Sequence, residues 1–107
     1  MTWTPQHQSL LDACHLIATR SDALTARQIC GLLVMHRAGG PLRFRDLARG
    51  IGCPKPSVTR VHQTLKRLGF ADTKRNPRDG RDIYVSLTPE GLQFADSLVA
   101  HALERAA

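Results

Sequence analysis

The sequence predicts an α+β fold, mainly helical, and three observations predict it. Apolar residues recur at steps of three and four in five separate segments, the spacing of helices with one buried side. One stretch, Ile83-Tyr84-Val85-Ser86-Leu87, alternates with the period of two of a half-buried strand. The third observation is order. Between residues 45 and 87 come a short helix, a tight turn, a basic helix, a strand, a turn crowded with arginine and a second strand. That is the order of a winged helix-turn-helix domain. A length of 107 residues suits a single domain, 1–107. Its winged-helix core is expected at 25–87 and its terminal helices at 8–19 and 88–107.

Residues 1–7 read as an irregular arm, with Trp3 folded back on the body. The first helix covers 8–19, where Leu10, Leu11, Cys14, Ile17 and Ala18 make one apolar stripe. Thr25 is placed to cap a second helix over 26–36. Its inner stripe is Ala26, Ile29, Cys30 and Leu33, widened by Leu32 and Met35. Gly39-Gly40-Pro41 ends it, since such a run cannot continue a helix. Residues 42–44 read as a very short strand or an extended connection. A third helix, 45–51, turns Leu47, Ala48 and Ile51 inward, and Gly52 supplies the left-handed residue that ends it.

Pro54 and Pro56 fit a turn or a first helical turn, where a missing N–H has no partner to lose. The fourth helix therefore starts between residues 54 and 57 and runs to about 68. It sets Val58, Val61, Leu65 and Leu68 on the core, and Gly69 stops it. Strands follow at 70–75 and 82–87, joined by Asn76-Pro77-Arg78-Asp79-Gly80-Arg81, a turn by composition. Thr88-Pro89-Glu90 opens the last helix, with a capping hydroxyl, a proline in the first turn and an acid at the positive end of the dipole.

Composition narrows the function classes. Apolar residues make up 42%, enough for a folded core, and aromatics only 5%, so that core is aliphatic. The net charge of +6 points to an acidic partner. Its distribution says more than its size. Residues 43–81 hold eleven of the fifteen basic residues and only three of the nine acids. Three cysteines without a C-x-x-C pair argue against a disulfide framework and for a reducing compartment. Residues 2–8 are polar and no long apolar run follows, so neither a signal peptide nor a membrane span is expected. The five histidines show no metal-ligand spacing, so no metal or cofactor is expected. No catalytic constellation is visible, which argues against an enzyme.

In a helix-turn-helix the second helix enters the major groove with its N-terminal part. Here that part carries Lys55, Ser57, Thr59, Arg60 and Gln63. Arginine can bond bidentately to guanine, glutamine to adenine, and serine or threonine to several partners. Arg45, Lys66, Arg75, Arg78 and Arg81 add the charge expected to meet phosphate. Cys53 lies just before a helix start in basic surroundings. It is read either as a redox-active thiol or as a small residue packed in the turn.

The run from Asp79 to Gly91 resembles the D-x-R-x-x-x-V-x-L-T-x-x-G signature of MarR-type regulators, through Asp79, Arg81, Val85, Leu87, Thr88 and Gly91. Ser57-Val58-Thr59-Arg60, Leu65 and Gly69 are similar to that family's recognition helix and its end. Leu24-Thr25 and Leu47-Ala48 resemble its second and third helices. The resemblance implies a winged-helix transcription regulator. It implies that Arg81, on the wing, reaches the minor groove and that Asp79 orients it. Pro54 and Pro56 depart from the pattern, as does a single helix after Thr88 where the family has a longer C-terminal dimerisation region.

The expected function is therefore sequence-specific binding of double-stranded DNA and regulation of transcription, in the cytoplasm at the nucleoid. Two alternatives stand beside it. One is a protein-interaction module that binds RNA polymerase or another regulator. The other is a ligand- or redox-responsive switch. A homodimer is expected through the terminal helices. In the last helix Leu92, Ala95, Val99, Ala102 and Ala106 form one seam, with Phe94, Leu98 and Leu103 as a second apolar side.

Overall fold

The computed structural model describes residues 2–20, 24–81 and 83–106, with the backbone alone for 102–106. The elements run α1 (Pro5–Ala18), α2 (Ala26–Ala38), β1 (Leu42–Arg43), α3 (Phe44–Ile51), α4 (Lys55–Arg67), β2 (Ala71–Arg75), β3 (Ile83–Leu87) and α5 (Pro89–Ala106). The strands form one antiparallel sheet in the order β1-β3-β2. Val85 is its centre, paired with Leu42 on one side and Thr73 on the other. The fold class is the expected one: five helices and a small antiparallel sheet whose β2–β3 hairpin is the wing. No helix among the described residues is long and apolar enough to cross a membrane.

The N-terminal segment departs from expectation. It is helical from Pro5, not an irregular arm to residue 7. Thr4 accepts the His7 N–H, and the His7 ring accepts the Thr4 N–H in return. This reciprocal box satisfies amides that otherwise have no partner at a helix start, and such a cap is worth about 1 kcal/mol. Histidine occupies the place usually held by Glu or Gln, so the pattern is easily passed over. Trp3 does not fold onto the body. It stacks on His7 at 5.1 Å and donates to Gln8 Oε1, staying 60% exposed.

The inward faces of α1 and α2 are only partly those expected: Ile17, Ile29, Leu32 and Met35 pack in or against the core as expected, and the other expected stripe residues do not. In α1 the buried residues are Ser9 and Ala13, with Leu16 and Ile17 against the core, while Leu10, Leu11 and Cys14 are exposed. In α2 they are Gly31, Leu32 and Met35, while Ala26, Cys30 and Leu33 are exposed. The cause is where each helix finds partners. Small side chains at residues 9 and 13 suit the close approach of α1 to α5, its principal neighbour. Helix α2 lies against α3, α4, α5 and β3 at once, and those neighbours take its Leu32 and Met35 side. Gly31 sits at the α4 crossing, where a Cβ would come within 2.8 Å of Val61.

The core gathers Leu32, Met35, Leu47, Val58, Leu65 and Val85, all essentially fully buried. Burying each such side chain contributes about 1.5–3 kcal/mol. Phe70 and Phe94 stack at 5.0 Å, and the Arg20 guanidinium lies over both rings. In α5 the buried side is Gly91, Phe94, Ala95 and Leu98, so the expected seam is divided: Ala95 faces the core, while Leu92 and Val99 are exposed. The side chains of Ala102, Leu103 and Ala106 lie outside the described residues.

Candidate nucleic-acid interface

Helix α4 starts cleanly despite its prolines. Pro54 is the N-cap, and its carbonyl accepts from Ser57 and Val58. Pro56 lies within the first turn, where its missing N–H breaks no intrahelical bond. Gly52, at φ 77°, ends α3 and reverses the chain into α4. The inward side of α4 is Val58, Val61, His62 and Leu65. Lys55, Thr59, Arg60, Gln63, Lys66 and Arg67 are exposed, and Ser57 is half-buried.

The wing is built by its own side chains. Asn76 Oδ1 accepts the Arg78 N–H, and Asp79 Oδ1 accepts the Arg81 N–H at 3.0 Å. Asp79 therefore holds the backbone that carries Arg81. Arg75 donates across the turn to the Gly80 carbonyl, so it braces the hairpin. Arg78 and Arg81 are exposed. Asp82, at the start of the expected second strand, lies outside the described residues.

These elements enclose a cavity of about 480 Å³ between α3, α4 and the wing. Arg43, Arg45, Lys55 and Arg81 bring four cations to it, with Thr59 and Gln63 beside them. Cations up to 38 positions apart in the chain thus face one recess. Lys66, Arg75 and Arg78 do not line it. Thr59 donates its hydroxyl to the Lys55 carbonyl, so it meets a ligand chiefly as an acceptor. A second cleft, about 390 Å³, lies on the other flank of α4 and is bordered by Ser57 and Arg60. Cys53 is half-buried and packs against the core. Among the described residues no group of three or more His, Cys, Asp or Glu is placed to hold a metal.

Sequence reasoning passed over two residues of this region. Arg27 lies outside the basic span, on α2, and reaches Ser57 of α4. His62 reads on the sequence as one more unassigned histidine. In the fold it is 7% exposed, shares a 2.6 Å hydrogen bond with the Thr73 hydroxyl on β2, and meets Phe44 edge to face. It thereby ties α4 to the base of the wing. Its Nδ1 has no partner among the described residues.

Burial lowers the His62 pKa below its ordinary 6.5; the Lys66 charge lowers it further, against a smaller opposite effect of Asp72. The sign of the stability effect follows. The unfolded chain takes up a proton that folded His62 refuses, so the full contribution is present above about pH 6.5. It falls as pH drops below that value and levels off once His62 protonates in the fold. Melting temperature is expected to decline on acidification, and the slope should shrink in His62→Gln. An identical slope in the variant would assign the acid sensitivity to other groups.

Comparisons with known proteins agree with this architecture. The MarR family profile matches residues 23–82. An uncharacterised HTH-type transcriptional regulator of Mycobacterium bovis is 31% identical over 78 residues, 69% of this chain and 51% of that protein. The chain spans about half the length of the curated relatives it matches. The S. aureus MepR–DNA complex superposes with a TM-score of 0.76 at 18% identity, over 89% of this chain and 77% of that one, which shows a common fold. The PcaV transcriptional regulator of Streptomyces coelicolor, solved with its natural ligand, gives 0.70 at 27% identity, over 91% and 70%. With the profile covering more than half of its residues, the chain belongs to the MarR family.

Proposed function

We propose that the chain binds double-stranded DNA sequence-specifically and regulates transcription, with α4 in the major groove and the wing in the minor groove. One observation carries the reading. Arg45, Lys55 and Arg81 come from three different elements to one recess, and no carboxylate pairs with any of them among the described residues. Unpaired cations kept together are costly unless a polyanion meets them. MepR, which shares the fold, was solved on DNA. Such a regulator works in the cytoplasm, at the nucleoid. The test is duplex binding against salt. With roughly five phosphates neutralised, log affinity should fall with log salt at a slope of about −4 to −5. A flat dependence would favour a protein partner such as RNA polymerase.

The reading includes a homodimer. Leu10, Leu33 and Val99 are exposed around one apolar cavity between α1, α2 and α5, and Leu92 adds to the uncovered apolar surface. Surface of this kind is characteristic of an interaction site. Two copies would set two recognition helices on one face of DNA and ask for a palindromic site. Sedimentation at micromolar concentration should show a dimer, and Leu10→Glu with Val99→Glu should dissociate it. Leu98→Glu is unsuited to this test, because Leu98 is only 6% exposed and belongs to the protein's own core. A wild-type chain that sediments as a monomer would refute the dimer.

The same cavity, about 480 Å³ and almost wholly apolar, favours a second layer to the reading. It has the volume of a small-molecule site. A small apolar or aromatic effector seated there would make DNA binding conditional, as a ligand-responsive switch. Release of DNA on titration with such compounds would support it.

A further inference from the structure

We infer that Arg27, on α2 and outside the basic span, is a DNA-backbone contact and the positioning residue for Ser57 on the recognition helix. The inference rests on the DNA-binding reading above. Arg27 lies in the first turn of α2, and its Nη1 donates to Ser57 Oγ at 3.4 Å across a sequence separation of thirty. The two residues border the cleft of about 390 Å³ that also carries Arg60 and Thr25. Arg27 has no other hydrogen bond and no carboxylate partner among the described residues.

Two consequences follow from the donor and acceptor chemistry. A guanidinium has five N–H donors, and Ser57 uses one of those of Arg27. The remainder stay available to an anion in the cleft, opposite Arg60. The Ser57 oxygen, accepting from Arg27, leaves its own proton to donate. Ser57 is thereby set to meet acceptors, such as a phosphate oxygen or the N7 and O6 of guanine, ahead of donors. The cleft flanks α4 on the side away from the wing recess, so it extends the cationic face beyond what residues 43–81 supply. Its chemistry fits one further phosphate of the duplex.

The experiment measures affinity of the full chain for a mixed-sequence duplex of roughly two helical turns, across a salt series. Arg27→Ala should reduce the magnitude of the slope of log affinity on log salt by about 0.9, and weaken binding about fivefold to tenfold near 0.1 M salt. Arg27→Lys should recover the slope but only part of the affinity, since an ammonium keeps the charge and loses the planar fork. Arg37→Ala is the charge control. Arg37 is exposed in the last turn of α2, about 15 Å along the helix from Arg27 and beyond a Debye length of about 8 Å. It should leave the slope nearly unchanged. Equal losses from Arg27→Ala and Arg37→Ala, or none from Arg27→Ala, would overturn the inference while leaving the DNA reading intact. Absence of wild-type binding at low salt would remove that reading, and this inference with it.

Discussion

Gly91→Ala is expected to destabilise the protein severely, by about 3 kcal/mol or more. A Cβ on residue 91 would lie 2.0 Å from the Phe70 carbonyl oxygen, 2.9 Å from its carbon and 3.1 Å from Phe70 Cα. These are backbone atoms, so no rotamer change relieves the clash. The Phe70 carbonyl cannot move freely either, because it accepts the Thr88 N–H at 3.0 Å. Thr88 is held in turn, donating its hydroxyl to the Gly69 carbonyl and accepting the Gly91 N–H. The first turn of α5 thus rests on the chain leaving α4, and only a residue without a side chain permits that approach. Thermal or urea unfolding would measure the effect. Because the same joint sets where the wing leaves α4, DNA affinity should fall with stability. A variant that melts within about 1 kcal/mol of wild type would show that α5 can shift to make room.

Arg60→Ala and Arg81→Ala are expected to separate base reading from groove shape. Arg60 is exposed midway along α4 and has no partner among the described residues. If it contacts a base edge, its loss costs about 1–3 kcal/mol on a selected site, and much less on random duplex. Arg81 is carried on a turn whose backbone Asp79 holds, so the position from which its side chain extends is set by the turn itself. Its removal should cost most on sites with a narrow A·T-rich minor groove, where the potential is most negative. Asp79→Ala should reproduce part of that loss without removing a cation. Parallel titrations of selected, A·T-rich and random duplexes measure all three variants. Equal losses on every duplex would reduce both arginines to phosphate contacts.

Local chemistry makes much of this protein legible in its amino-acid order. Glycines at 52 and 69 take the left-handed conformation that ends a helix. Alternation at 83–87 marks a strand whose Val85 is fully buried. Thr25 and Thr88 are capping hydroxyls where expected. These features depend on a few neighbouring residues, so a single sequence carries them. The clustering of eleven basic residues in 43–81 is also visible in the sequence, and four of them, Arg43, Arg45, Lys55 and Arg81, line one recess in the fold.

Which partner each apolar face meets is decided only by the tertiary structure. Helices α1 and α2 each have apolar residues on more than one side, and periodicity alone cannot rank them. Only the packing of α1, chiefly on α5, buries its Ser9 and Ala13 and leaves Leu10 and Cys14 outward. Only the crossing of α2 on α4, at Gly31, turns Leu32 inward and Cys30 out. His62 and Arg27 are hidden in the sequence for the same reason: their partners, Thr73 and Ser57, lie eleven and thirty residues away. A residue's own pattern determines that it forms a helix or a turn. Which side of that helix loses water depends on contacts far along the chain, and those exist only once the elements have packed.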